Sequence, residues 1–295
     1  MSKPLIEPVG LIQNPLSGDA VQLAGKTVVL ASLFATDQWF VGTLNPTANS
    51  FITESIGMLD YGNYYAARTG SSANGDRRVL FAFTGWTSPS LSPSLHCGEQ
   101  GVIRHHTFPR ELGVALGSKK LTIQPVPETL SLRGGAPVNA SLRVGSVAPV
   151  TLARGIRIEA RLSCTGLDKP GASAKLSLLK PPSGVLPRAI LELGYNQNEG
   201  VLYAAHSRVC DSCPPGVPVR QTAPVSLGPN GALELQVLVD AAVVEAFALP
   251  FVALTTLVDL SGMQGVESDD FSSSASVGGG AGCNVSSWPL VPALL

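Results

Sequence analysis

The chain has 295 residues, of which 44% are hydrophobic and 14% are charged, and its formal net charge is −1. This composition is typical of a folded protein with an ample core and excludes a chain that is disordered throughout. No basic patch is large enough to hold a nucleic-acid backbone, so nucleic acid is not expected as a partner. The 31 glycines and 23 prolines follow no repeat period and indicate many turns, as in an all-β protein.

The first residues show no targeting segment, because Met1-Ser2-Lys3-Pro4 is followed by a mixed stretch rather than an apolar one. The longest apolar stretch, residues 246–258, contains a proline and is too short to span a bilayer, so no membrane partner is expected. Five cysteines do not define a disulfide framework. Asn139-Ala140-Ser141 and Asn284-Val285-Ser286 match the N-glycosylation pattern, which also occurs often by chance.

The first third of the chain predicts short antiparallel strands. Residues 27–33 and 38–43 are rich in β-branched and aromatic side chains and are separated by a short polar break. Residues 61–68 and 77–86 predict a hairpin, whose turn contains the pair Asn74-Gly75. A meander of this kind is the unit that builds a propeller blade.

A domain boundary is predicted at residues 125–138, where three prolines and a Gly-Gly pair fall close together. Beyond it, apolar and polar residues alternate with a period of two, first along residues 156–163 and again along residues 233–239. Such alternation indicates half-buried strands. Together with the spacing of the neighbouring strand candidates, it predicts a β-sandwich over residues 139–266.

The alternation is lost from residue 267 onward, and residues 272–282 are a low-complexity run of mostly serine and glycine. This composition predicts a disordered tail over residues 267–295. The predicted organisation is therefore a first domain of residues 1–124, a linker of residues 125–138, the β-sandwich and the tail.

Four short motifs, taken in chain order, resemble those of glycoside hydrolase family 32, which contains invertases, inulinases, levanases and fructan exohydrolases. They are D-Y-G-N-Y-Y-A at 60–66, R-R-V-L-F-A-F at 77–83, P-R-E-L at 109–112 and D-A-A-V-V-E-A-F at 240–247. The resemblance extends over residues 26–248. It implies a five-bladed β-propeller followed by a C-terminal β-sandwich, with only the last blades present here.

The family resemblance also implies a chemistry. Family 32 enzymes use an Asp nucleophile in an N-D-P motif, a stabilising Asp in R-D-P and an acid/base Glu in E-C-P, in keeping with retaining glycosidases. Neither N-D-P nor R-D-P occurs in this sequence. The chain is therefore expected to be a truncated β-fructofuranosidase-type hydrolase of sucrose or fructan oligosaccharides, inactive alone. The alternative is a non-catalytic carbohydrate-binding or structural remnant of the family.

Four residues are candidates for the sugar site. Glu7, in Glu7-Pro8, is the candidate acid/base, and the alternative is a surface residue in a frayed N-terminus. Asp60 can hydrogen-bond sugar hydroxyls, or its side chain can instead cap a turn through an Asx hydrogen bond to backbone N–H groups. Phe83 and Trp86 compete for the position of the family's G-W tryptophan, which lines the sugar pocket, and the alternative for both is core packing.

No metal or cofactor is predicted. Cys210 and Cys213 have C-x-x-C spacing without a second pair, which favours a loop disulfide or two free thiols. His105 and His106 are adjacent, so on a strand they point to opposite faces.

Two blades without the rest of a propeller leave an apolar face open, and self-association through that face is expected. The family is often secreted or vacuolar, but with no signal peptide the compartment stays undetermined.

Overall fold

The computed structural model describes residues 17–33, 36–72, 74–84, 105–146, 148–182, 191–206, 220–258 and 267–291. Within these ranges the protein is nearly all β, which confirms the predicted class, with three short 3-10 helices at Pro127–Leu132, Pro229–Gly231 and Ser268–Asp270. The strands are β1 (Ser17–Leu23), β2 (Lys26–Leu33), β3 (Thr36–Asn45), β4 (Ser50–Met58), β5 (Tyr65–Ser71), β6 (Arg78–Phe83), β7 (Arg110–Ala115), β8 (Lys120–Pro125), β9 (Val138–Leu142), β10 (Val150–Thr151), β11 (Arg157–Thr165), β12 (Ser173–Lys180), β13 (Leu191–Asn196), β14 (Val201–His206), β15 (Arg220–Pro224), β16 (Leu233–Asp240), β17 (Val243–Ala248), β18 (Val252–Leu257), β19 (Ser272–Gly278) and β20 (Gly282–Pro289).

The first eight strands form two four-stranded meanders in the described part of the chain, β1-β2-β3-β4 and β5-β6-β7-β8. Neighbouring strands in each meander are antiparallel. The hairpin predicted around Asn74-Gly75 is the β5–β6 connection, and Gly75 adopts a positive φ of 73° there. Glycine accepts this backbone conformation without steric cost, as a tight turn requires.

The remaining strands form two six-stranded antiparallel sheets, in the orders β10-β19-β12-β13-β14-β15 and β18-β17-β16-β11-β20-β9. One hydrophobic cluster contains buried residues from both of these sheets. On β11 the inward residues are Ile158, Ala160 and Leu162, all fully buried, while Arg157 and Arg161 alternate with them. The period-two pattern of the sequence thus marks the side of this strand that faces the core.

The predicted disordered tail is wrong, because residues 267–291 carry two long strands. β19 pairs with β10 and β12, and β20 lies between β11 and β9. Four of the seven residues of β19 are serine, and the buried Ser273 hydroxyl accepts a hydrogen bond from the backbone N–H of Leu179. Small residues can fill the interior of a sheet without a clear hydropathy pattern. A strand composed of them therefore has the same composition as a flexible linker. A disulfide between Cys164 and Cys283 joins β20 to β11.

The second hydrophobic cluster joins the two halves of the chain. Leu238, Phe247 and Ala253, from β16–β18, belong to the same buried cluster as Tyr64 and Leu112 of the first half. The sheet that contains β16–β18 therefore packs against apolar residues on both of its faces, because its residues belong to both hydrophobic clusters. This explains why all six residues of β17 are buried and its sequence is a continuous apolar run interrupted by one glutamate.

The segment predicted as a linker is anchored to the second half of the chain through Arg133. Its 3-10 helix, Pro127–Leu132, is followed by Arg133, whose guanidinium lies 3.6 Å from the ring centre of Trp288. Arg133 also donates to the buried Glu159 carboxylate at 2.7 and 2.8 Å. Burial alone raises the pKa of Glu159, but the hydrogen bonds from Arg133 and Arg161 hold this pKa below its ordinary value.

Candidate functional site

Asp60 lies in the short loop between β4 and β5, and its carboxylate organises that loop. The backbone N–H of Gly62 donates to Asp60 Oδ1 at 2.7 Å, which closes an Asx turn. The loop runs against β18, since the N–H of Tyr61 donates to Ala253 O at 3.0 Å and that of Asn63 to Thr255 O at 2.7 Å. A Cβ at Gly62 would lie 1.9 Å from Thr255 O, so this approach requires glycine.

Arg110 is the centre of a buried ion cluster, which we define as Asp60, Arg110 and Glu245. Arg110 is at the start of β7 and its side chain is 0% exposed. Its Nη2 lies 2.9 Å from Asp60 Oδ2 and 2.6 Å from Glu245 Oε2, and its Nε donates to the same Oε2 at 3.1 Å. One guanidinium thus joins a loop of the first half to a strand of the second.

Hydrogen bonds from neighbouring groups support both carboxylates of the ion cluster. Thr255 donates from its backbone N–H to Asp60 Oδ1 at 2.9 Å and from its hydroxyl to Oδ2 at 2.7 Å. The backbone N–H of Phe108 donates to Glu245 Oε1 at 2.5 Å. The guanidinium carbon of Arg110 lies 4.1 Å from the ring centre of Tyr64 and 5.0 Å from that of Phe247. Buried charges require such partners, because an unpaired charge in the interior is costly.

Burial and charge act in opposite directions on these groups. Burial by itself lowers the pKa of Arg110, but the carboxylates of Glu245 and Asp60 hold that pKa above its ordinary value. Burial raises the pKa of the Glu245 carboxyl, against the opposing effects of Arg110 and the Phe108 N–H. Asp37 is a further buried carboxyl near Asp60, and its pKa is raised chiefly by burial. The region therefore contains more carboxyl groups than cations to neutralise them.

Three of the four motifs singled out in the sequence converge on this cluster. Asp60 opens the first motif, Arg110 is the arginine of P-R-E-L and Glu245 is the glutamate of V-E-A-F. The arginines of the second motif lie elsewhere, in partly exposed ion pairs. Arg77 contacts Glu111 at 3.3 Å, and Arg78 contacts Asp19 at 3.5 Å. Sequence reasoning identified the motifs but missed their contact, although a lone glutamate inside an apolar strand is itself a signal that a buried partner exists.

Of the four candidate site residues, the structure describes Asp60 and Phe83. The side chain of Asp60 has no exposed surface, so its carboxylate cannot reach a sugar hydroxyl in this arrangement. The sugar-binding interpretation of Asp60 therefore gives way to the alternative turn-capping one. Glu7 and Trp86 lie outside the described residues, as does the Cys210–Cys213 pair.

Phe83, at the end of β6, is the candidate that remains on the surface. It is 41% exposed, and its ring centre lies 4.7 Å from that of His106 with a 44° angle between the planes. Its ladder partner across β5 is Tyr65. An exposed aromatic surface next to an imidazole is suited to stacking against the apolar face of a planar or ring-shaped ligand.

Within the described ranges, no group of three or more His, Cys, Asp or Glu side chains is arranged to hold a metal ion. In the same part of the chain, no helix is long and apolar enough to cross a membrane. Both carboxylates of the ion cluster contact the guanidinium of Arg110, which supplies the positive charge between them.

Comparison with known proteins gives a class that agrees with the motifs. Residues 15–125 match the model for the N-terminal domain of glycosyl hydrolases family 32. Fructan 1-exohydrolase w1 of Triticum aestivum is 28% identical over 121 residues, which is 39% of this chain and 20% of that protein. The cell-wall β-fructofuranosidase of Pisum sativum is 29% identical over 150 residues, 48% of this chain and 24% of that protein.

Among solved structures, fructan 1-exohydrolase IIa of Cichorium intybus in complex with 1-kestose superposes with a TM-score of 0.70 at 19% identity. The match covers 91% of this chain and 58% of the Cichorium chain. The chain is therefore a relative of glycoside hydrolase family 32. It matches about a fifth of the length of the curated relatives and somewhat more than half of the solved structure.

Proposed function

We propose that these 295 residues form part of a β-fructofuranosidase-type glycoside hydrolase that acts on sucrose or a fructan oligosaccharide. The observation that carries the proposal is the ion cluster, because residues from three of the family-like motifs contact one another in it. The matched relatives named fructan exohydrolase and β-fructofuranosidase, and the structural relative that holds 1-kestose, support the same substrate class.

The two four-stranded meanders correspond, in this proposal, to blades of a five-bladed propeller, and the two six-stranded sheets to a β-sandwich. The first domain then comprises residues 1–124 and the connecting segment residues 125–138. The sandwich begins at residue 139 and extends through β20, since β19 and β20 pair inside its sheets. The ion cluster holds the β4–β5 loop against β17 and β18 of the second half.

We infer that the chain alone does not hydrolyse these sugars. Double displacement needs a carboxylate nucleophile that traps the glycosyl group and a second carboxyl about 5 Å away as acid/base. The 295 residues contain no N-D-P or R-D-P motif, and both carboxylates of the ion cluster are engaged by Arg110. General acid catalysis by Glu7 alone contributes about 10²- to 10⁴-fold, whereas enzymes commonly reach about 10⁶-fold or more.

The test is the release of reducing sugar from sucrose, 1-kestose and inulin by the purified chain. The matched controls are the Glu7→Gln variant and an active family 32 hydrolase. We expect a background rate from both forms of the chain and turnover from the control enzyme. Turnover by the chain that is lost in Glu7→Gln would overturn the inference and assign the acid/base role to Glu7.

A second candidate function, sugar binding without catalysis, is favoured by a cleft between the two halves of the chain. The cleft has a volume of about 400 Å³ and is lined by Tyr61 and Phe251, with Lys120 and Glu234 among its polar residues. Aromatic rings with a few charged groups around them are a common lining of ligand sites. Burial raises the pKa of Tyr61, and its neutral hydroxyl can donate a hydrogen bond to a ligand.

Titration calorimetry with 1-kestose tests this second candidate. Binding by the intact chain that is abolished in Tyr61→Ala but kept in Phe83→Ala would place the sugar in the cleft. The opposite dependence would place it on the Phe83–His106 surface. Absence of heat with every variant at millimolar sugar would contradict a binding function.

We also infer that the chain self-associates through the exposed side of β6. Phe81 and Phe83 are 48% and 41% exposed, and they stand two positions apart on one strand, so both project from the same face. Contiguous exposed aromatic surface of this kind commonly marks an interaction site.

A further inference from the structure

Two acceptor tripeptides for N-linked glycans lie side by side on the outer face of one sheet. Asn139-Ala140-Ser141 is on β9 and Asn284-Val285-Ser286 is on β20, and no other asparagine in the sequence begins an N-x-S/T pattern without proline. The ladder sets Asn139 opposite Ser286 and Ser141 opposite Asn284. Both asparagines are exposed.

Each serine hydroxyl bonds to the asparagine of the other tripeptide. Ser286 Oγ donates to Asn139 Oδ1 at 2.7 Å, and Ser141 Oγ donates to Asn284 Oδ1 at 2.9 Å. These bonds use the amide oxygens. N-glycosylation modifies the amide nitrogen Nδ2 and leaves the carbonyl oxygen as an acceptor, so the cross-strand bonds survive the modification.

We propose that Asn139 is an N-glycosylation site of this protein. In the transfer, a bond forms between Asn139 Nδ2 and C1 of the first sugar of a polyprenyl-diphosphate-linked oligosaccharide. The bond between that C1 and the diphosphate oxygen breaks, the polyprenyl diphosphate leaves with the electron pair, and Nδ2 loses one proton. The proposal concerns a modification of the second half of the chain and does not depend on the proposed hydrolase activity.

The disulfide beside the second tripeptide points independently to the compartment in which such transfer occurs. Cys283 precedes Asn284 directly and is bonded to Cys164 across the β11–β20 pair, with both residues buried. Structural disulfides form and persist in oxidising compartments such as the lumen of the endoplasmic reticulum. N-linked oligosaccharides are added in the same lumen, so the two features belong together chemically.

The position of the strands favours Asn139 over Asn284. Among the strands that the structure describes, β9 is the last of its sheet, so one side of Asn139 faces no other described strand of that sheet. Asn284 is instead flanked by Ser141 on β9 and by Ser163 on β11. A glycan on Asn139 lies beside this edge of the described sheet, and exposed strand edges otherwise template pairing with another chain.

The experiment is intact-mass analysis of the full chain secreted from a eukaryotic host, before and after peptide-N-glycosidase treatment in H₂¹⁸O. We expect a glycan mass that the enzyme removes and an ¹⁸O-labelled aspartate at position 139. Asn139→Gln and Ser141→Ala each remove the glycan, whereas Ser141→Thr and Asn284→Gln retain it. Asn45, which is followed by Pro46-Thr47, serves as an internal negative control.

Two results overturn the proposal. One is a secreted chain whose mass does not change on enzyme treatment. The other is a glycan that persists in Asn139→Gln and disappears in Asn284→Gln. Ser141→Ala and Ser141→Thr differ only at an exposed side chain. Equal melting temperatures of the two variants would show that Ser141→Ala loses the glycan because the acceptor pattern is gone, and not because the protein fails to fold.

Discussion

Arg110 and Glu245 lie 135 positions apart in the sequence, and their Nη2 and Oε2 atoms are 2.6 Å apart in the fold. Both side chains are completely buried. The contact joins a strand of the second meander to a strand of the sheet that carries the other hydrophobic core. The covalent chain links these two regions through a long path, whereas this ion pair links them directly.

Removal of Arg110 is expected to destabilise the protein strongly. Arg110→Met leaves the Asp60 and Glu245 carboxylates buried without their cation, which costs about 3–5 kcal/mol. The matched control is Arg157→Met, because Arg157 pairs with Asp240 at 2.7 Å on the surface. Exposed pairs contribute about 0–1 kcal/mol. Urea unfolding of both variants measures the difference, and equal losses would contradict a central role for the ion cluster.

Gly62→Ala tests the packing of the β4–β5 loop against β18. The new Cβ would lie 1.9 Å from Thr255 O, so the loop or the strand has to move. Overpacking of a tight site costs about 1–3 kcal/mol. Gly70→Ala is the control, since a Cβ at Gly70 meets nothing within 4 Å. A melting temperature that falls in Gly70→Ala and not in Gly62→Ala would show that the loop approach is looser than described.

The contact that Glu54 on β4 makes between the two meanders is expected to weaken in acid. Its carboxylate accepts from Lys26 Nζ at 2.6 Å and lies 2.8 Å from Lys119 Nζ, which belongs to the β7–β8 turn. The hydrogen bonds from Lys119, Lys26 and Thr43 lower the pKa of Glu54 to about 2. Because the folded-state pKa lies below the unfolded value of about 4.3, this stabilisation is complete above the unfolded pKa and is lost as the pH falls toward 2.

The measurement for Glu54 is the melting temperature between pH 7 and pH 2, for the chain and for Glu54→Gln. The variant is expected to be less stable at pH 7 and to lose less stability on acidification. Glu267→Gln, at an exposed position in the described part of the chain, should follow the unmodified profile. Parallel acid profiles for the chain and Glu54→Gln would remove Glu54 from the explanation.

Self-association is expected to depend on the phenylalanines of β6. The double variant Phe81→Ser/Phe83→Ser should shift the species observed by sedimentation velocity toward the monomer, because it removes the exposed apolar surface. Leu116→Ser, at a residue that is 63% exposed in the β7–β8 turn, is the control for loss of one isolated apolar side chain. A chain that is monomeric before any substitution would overturn the inference.

Much of the local structure could be predicted from the sequence, because strand periodicity is a property of consecutive residues. The alternation along residues 156–163 identified β11 and its inward face, and the Asn74-Gly75 pair identified a turn. The same reasoning failed for β19. Four of its seven residues are serine, which gives little hydropathy contrast between the two faces, so a strand paired with its neighbours looked like a disordered run.

The ion cluster could not be predicted from the sequence in this way. The motifs around Asp60, Arg110 and Glu245 could be recognised in the sequence. Periodicity, however, shows only which side of a strand faces the core, and does not identify the residues that the strand contacts. The tertiary structure alone brings the three side chains together and buries them. Burial then decides their role, because a carboxylate that is shielded from water and paired with a guanidinium holds the fold and is closed to a sugar in solution.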